Sequence, residues 1–141
     1  IEIKNNIDVG IVLINPKVQL STKQIFKNVI LEEKKPIEKK FLKISNLNDF
    51  YKISKIGNRL RIPALAIVPE IAKILKLFES IDDCICSGMS GSGPTCYGIF
   101  ESRKKALLFE NNVKKTFSCK HFWTWSGGLL LNSKRDLILP I

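Results

Sequence analysis

Cys84-Ile-Cys86, Ser87-Gly-Met-Ser-Gly-Ser-Gly-Pro-Thr95, then Cys96-Tyr-Gly-Ile-Phe100 is the stretch on which the fold turns. Short apolar, β-prone segments flank a run of three glycines and three serines. The pattern predicts a strand at Cys84–Cys86, a loop, and a second strand over Thr95–Phe100. Gly91 and Gly93 let the loop backbone take positive φ or approach a ligand closely. Ser90, Ser92 and Thr95 offer hydroxyls, and such a loop can turn amide donors toward an anion. A plain tight connection accounts for the same residues equally well. No Gly-Lys-Ser/Thr ending follows and the next element is a strand, so this is not a Walker phosphate loop.

Working outward, the β-branched run Val9-Gly-Ile-Val-Leu-Ile-Asn-Pro16 predicts a strand central in a sheet, closed by Asn15-Pro16. Ser21-Thr22-Lys23-Gln24 has capping-box spacing and should open a short helix through Ile25, Phe26 and Val29. The charged stretch Glu32–Ser45 reads as a connection. Asn46–Leu60 reads as a helix with Leu47, Phe50, Tyr51, Ile53 and Ile56 on one face, ended or kinked by Gly57. From Pro69, the spacing of Ile71, Ile74, Leu75, Phe78 and Ile81 predicts a further helix. Downstream of the hairpin, Ser102 to about Asn112 predicts a helix that Asn111-Asn112 would end. Phe122-Trp-Thr-Trp125 predicts a last strand, stopped by Gly127-Gly128, with its tryptophans packed against helices. The order is that of an α+β domain, a ferredoxin-like antiparallel sheet covered on one face by helices. Such a fold hosts many functions and decides none.

A chain of 141 residues with 45% hydrophobic content buries one substantial core and is too short for two ordinary domains, so residues 1–141 read as one. The polar start at Ile1, without methionine, reads as the beginning of a cut piece. No apolar run is long enough to cross a bilayer and no signal-peptide layout is present, which predicts a cytoplasmic protein with no membrane partner. The formal charge of +10 raises nucleic acid as a partner, yet the lysines are spread along the chain and the densest run, Glu32–Lys40, is interrupted by acids. A lysine- and isoleucine-rich codon usage gives the same charge, so no nucleic-acid partner is predicted. Cys84, Cys86, Cys96 and Cys119 lack disulfide-framework spacing and are expected to be reduced. Cys119 and His121 are the nearest approach to a metal pair, but without a Cys-x-x-Cys partner no metal site is predicted.

Met89-Ser-Gly-Ser-Gly-Pro-Thr-Cys-Tyr-Gly98 is similar to the third conserved motif of the GHMP kinases, a superfamily of small-molecule kinases. Three further stretches resemble its methylerythritol branch: Leu13-Ile-Asn-Pro16 through Thr22 and Phe26, Asn58-Arg-Leu60 up to Pro69-Glu-Ile71, and Trp123-Thr-Trp125-Ser-Gly-Gly128. They span most of the chain in the family's order. The resemblance implies the C-terminal lobe of an ATP-dependent kinase that phosphorylates the tertiary 2-hydroxyl of a cytidine diphosphate derivative of methylerythritol. It also implies that the catalytic aspartate and lysine, the phosphate loop, and most contacts to ATP and Mg belong to an N-terminal lobe absent from this chain, so that no catalytic residue lies here and the piece alone is inactive. That lobe and the cytidine diphosphate substrate are the implied partners, with exposed apolar surface expected where the lobe docks.

By the same resemblance Phe26 stacks on the cytosine and Thr22 lines the substrate pocket, while Ser90, Gly91, Ser92, Gly93 and Thr95 form a glycine-rich loop beside the cleft. Periodicity alone makes Phe26 the apolar anchor of its helix, and Thr22 a companion of Ser21 in the cap. Arg59 and Arg61 depart from the family, which is usually acidic there. A different class of reading is a basic RNA-binding module using Tyr97 and Ile99 on one strand face, but that strand has one aromatic and begins next to Pro94. A regulatory small-ligand-binding domain also suits a Gly/Ser loop.

Overall fold

A computed structural model of the chain describes residues 2–3, 7–29, 43–116 and 121–131. In chain order the elements are β1 (Glu2–Ile3), β2 (Ile7–Asn15), α1 (Thr22–Lys27), β3 (Lys43–Ile44), α2 (Leu47–Ser54), α3 (Arg61–Ile67), α4 (Glu70–Glu79), β4 (Cys84–Met89), β5 (Cys96–Phe100), α5 (Arg103–Thr116) and β6 (Trp123–Leu131). Most of the predicted charged connection, like Cys119, lies outside the described residues.

Four strands form an antiparallel sheet in the order β4-β5-β2-β6, with β1 and β3 a short parallel pair apart from it. The central place expected for β2 holds, with Val12 paired to Gly98 on one side and to Ser126 on the other. Because successive side chains alternate across a strand, Val12 and Ile14 of β2 join Cys96 and Phe100 of β5 on one face. Helices α1, α3, α4 and α5 close that face, through Ile25, Ala64, Ile71, Ile74, Leu75, Phe78, Ala106, Phe109 and Val113. Phe78, Phe100 and Phe109 form its aromatic centre, with ring centroids 5.1 to 6.4 Å apart.

The α+β class stands, with an addition on the second face. Val9, Ile99 and half-buried Tyr97 meet Ile44 and Phe50, so α2 and β3 cover part of it. The helix predicted over Asn46–Leu60 is accordingly shorter, with α2 ending at Ser54; α3, from Arg61, lies beyond the predicted range and packs on the other face, and the chain rounds the sheet edge between them. Gly57, at φ +77°, lies in that crossing, and Tyr51 and Ile56 of the predicted stripe are exposed.

Other boundaries move for identifiable reasons. Helix α5 runs through Asn111-Asn112 because both face solvent while Val113 extends the buried stripe of Ala106 and Phe109. Strand β6 runs through Gly127-Gly128, where the indole of Trp125 lies over Gly127 and the Arg103 side chain over Gly128, filling the room the glycines leave. Trp123 and Trp125 project to the face opposite α4 and α5 and are 46% and 44% exposed, so they are not packed under helices as expected.

Candidate functional site

A third of the predicted glycine-rich loop is strand: β4 continues through Ser87 and Gly88 to Met89, leaving a tight turn over Ser90–Thr95. The Ser90 N–H donates to the Thr95 carbonyl at 2.9 Å and the Gly93 N–H to the Ser90 carbonyl at 2.9 Å. Two amides are therefore used inside the turn and are not available to an anion, which favours the plain tight connection over the anion nest that the sequence left equally open. Gly91 and Gly93 sit at φ +53° and +82°, where an L side chain is strained, so the glycines are required by the turn itself. The Gly93–Pro94 peptide is cis.

Three segments distant in sequence converge on this turn. From the β2–α1 connection, Asn15 Nδ2 donates to Thr95 Oγ1 at 2.8 Å, and Thr22 Oγ1 lies 3.1 Å from Ser92 Oγ. From the α2–α3 crossing, Asn58 Nδ2 donates to the carbonyls of Met89 and Gly91 at 2.9 and 2.8 Å. Phe26, four residues after Thr22 on α1, is 60% exposed, while its neighbour Ile25 is the residue that anchors the helix in the core. The anchor role that periodicity gave Phe26 thus belongs to Ile25, and the Phe26 ring is left for other work.

The capping box expected at Ser21 is not formed: Ser21 occupies the N-cap position without a side-chain capping hydrogen bond. Ser21 and Gln24, with Gln19 and Leu20, instead line a shallow open cleft beside the turn. The reciprocal arm of such a box occurs at α2, where the Asp49 carboxylate accepts from the Ser45 and Asn46 N–H groups at 2.8 and 3.2 Å. Those bonds hold its pKa below the usual carboxylate range.

Of the residues singled out in sequence, Thr22, Ser92, Gly91, Gly93 and Thr95 come together, with exposed Ser90 at the rim and Phe26 on the adjoining helix. Asn15 and Asn58 are the additions. Both stand in the family-like stretches Leu13–Pro16 and Asn58–Leu60, but their partners lie 80, 31 and 33 residues away and nothing in the sequence pointed to them. The site is a cluster of hydroxyls and amides, suited to orienting a hydroxyl-bearing or anionic ligand and without a base at neutral pH. Cys96, next to Thr95, supplies no nucleophile: burial pushes its thiol up to about 12 although Arg61 pulls the other way. Arg61 also lies 3.8 Å from Glu79 in an exposed pair. Among the described residues no three His, Cys, Asp or Glu side chains come together as a metal would require, and none of the helices is long and apolar enough to cross a membrane. The strand face that an RNA reading needs is occupied, with Ile99 buried and Tyr97 packed in the cluster around Phe50.

Residues 38–119 match the family described as GHMP kinases C terminal. The 4-diphosphocytidyl-2-C-methyl-D-erythritol kinase of Ruegeria pomeroyi is 38% identical over 93 residues, 65% of this chain and 33% of that protein. Its namesakes from Wolbachia of Brugia malayi and from Prochlorococcus marinus are 36% and 32% identical, over 79% and 84% of this chain and 38% and 42% of theirs. The chain thus spans about a third to two fifths of the length of these curated relatives. Among solved structures, a 4-(cytidine 5'-diphospho)-2C-methyl-D-erythritol kinase superposes with a TM-score of 0.66 at 18% identity, over 89% of this chain and 44% of that one. Homoserine kinase from Cytophaga hutchinsonii does so with a TM-score of 0.53 at 17% identity, over 89% and 42%. At these identities the likeness is one of fold.

Proposed function

Since the chain belongs to the GHMP kinase C-terminal family, we propose that it is the C-terminal lobe of a kinase that phosphorylates the tertiary 2-hydroxyl of 4-diphosphocytidyl-2-C-methyl-D-erythritol in non-mevalonate isoprenoid synthesis, in the cytoplasm. The observation that carries the reading is the meeting of Thr22 with Ser92, beside exposed Phe26 on one short helix. A flat aromatic free to stack on a pyrimidine stands next to hydroxyls that can hold the rest of a small polar acceptor. The curated relatives of this name supply the substrate class. Phe26 stacks on the cytosine, Thr22 and the turn hydroxyls orient the acceptor, and the turn forms one wall of the cleft. ATP supplies the phosphoryl group with Mg, and their contacts belong mainly to the N-terminal lobe. The residues that activate the hydroxyl belong to that lobe too.

The test is steady-state phosphorylation by the full-length protein, parent and Phe26→Ala, with the cytidine diphosphate acceptor and with the same sugar phosphate lacking the cytidyl group. Base stacking contributes about 1–3 kcal/mol, so the variant should raise the acceptor KM about tenfold and lose the preference for the cytidylated acceptor. An active parent that takes both acceptors equally would refute the substrate assignment.

A further inference from the structure

We infer that Asn58 is the positioning residue that sets the shape of the Ser90–Thr95 turn, and through it the acceptor side of the cleft. Both hydrogens of its amide are used, on the Met89 carbonyl at 2.9 Å and the Gly91 carbonyl at 2.8 Å, while its Oδ1 accepts from the Leu60 N–H at 2.9 Å. One planar group therefore ties the end of β4, the second residue of the turn and the end of the α2–α3 crossing together. Packing does not do this at Gly91, where a Cβ would meet nothing within 4 Å. The two carbonyls point to one donor group, and only a side chain with two N–H bonds on one nitrogen satisfies both while its oxygen accepts. The next residue, Ser92, carries the hydroxyl that meets Thr22, so the hold on Gly91 fixes where that hydroxyl stands. Asn58 touches no reacting atom.

The functional part of this inference rests on the kinase reading, and the test separates the two. In the full-length protein, Asn58→Asp keeps the shape and the acceptor oxygen but sets a carboxylate against two carbonyls, and Asn58→Ala removes the tie. Both should raise the KM for the cytidine diphosphate acceptor about fivefold or more, with the KM for ATP within about twofold of the parent and little change in melting temperature. An unchanged acceptor KM in a folded Asn58→Asp protein overturns the inference, as does a parallel loss of both affinities, kcat and melting temperature, the mark of a merely structural residue. If neither variant folds, Gly91→Ala strains the same turn without touching Asn58 and should give the same split, and an unchanged acceptor KM there is equally fatal. If the parent phosphorylates no such acceptor, the kinase reading fails on its own. Amide hydrogen exchange at Ser90 and Gly93 in full-length Asn58→Ala then decides the positioning role: faster exchange than in the parent upholds it and equal exchange overturns it.

Discussion

A carboxylate 4% exposed keeps its charge at Glu110 because three donors reach it. Burial pushes its pKa up, but Lys114 at 2.7 Å, Ser126 at 2.5 Å and Thr124 at 3.0 Å together outweigh it and hold the carboxyl below the usual glutamate range. The two hydroxyls belong to β6, so this one residue of α5 fastens an edge strand to the helical layer. A carboxyl with a depressed folded pKa contributes stability that is fully present above the unfolded value of about 4.3 and is lost as pH falls through the folded one. Glu110→Gln should lower neutral-pH stability by roughly 1–2 kcal/mol and flatten the acid branch, as read from urea unfolding over a pH series. Curves for the two proteins that stay parallel in acid would contradict this. At this scale the sequence was partly legible. Thr22, Phe26 and the turn residues could be named from motif resemblance; Asn15 and Asn58 stood in family-like stretches too, but their partners, like those of Glu110, are brought near only by the sheet and the chain's crossing of its edge, and nothing local announces those contacts.

Elements were legible where apolar spacing and burial agree, as in α4, whose Ile71, Ile74, Leu75 and Phe78 are all buried. They were misread where polar or glycine signals were taken as stops. Asn111-Asn112 lies on the solvent side of α5, and Gly127-Gly128 leaves room for neighbouring side chains across β6, so neither ends its element. Pro63 stands inside the first turn of α3, where the absent N–H is not needed. Gly98 shows the other use of glycine within a strand. A Cβ there would strike the Phe78 ring, the contact by which α4 presses on β5 at the aromatic centre. Gly98→Ala should therefore cost about 1–3 kcal/mol through overpacking, measurable by chemical denaturation. A loss within about 0.5 kcal/mol, as for an ordinary surface change, would mean that α4 yields freely and that the packing described for this layer is wrong.

For the whole molecule, the α+β class and the order of the motifs are readable in the sequence, because the hairpin and the central strand carry strong local patterns. The second, partial layer of α2 and β3 is not, since the period of a helix says which side is apolar but not which face of a sheet it meets. That placement makes the chain round the sheet edge at Asn58, beside the end of β4, and so brings Asn58 to the turn of the candidate site. The sheet end where β2, β5 and the α2–α3 crossing meet carries the candidate site, in a chain that spans about two fifths of the length of these relatives. The most direct test incubates the full-length protein with MgATP and the cytidine diphosphate acceptor, follows ADP release, and locates the new phosphate by phosphorus and carbon NMR. The account predicts ADP and phosphorylated acceptor in equal amounts, with the phosphate on the tertiary 2-hydroxyl. ATP turnover without acceptor phosphorylation, or a phosphate on a different hydroxyl, would contradict it.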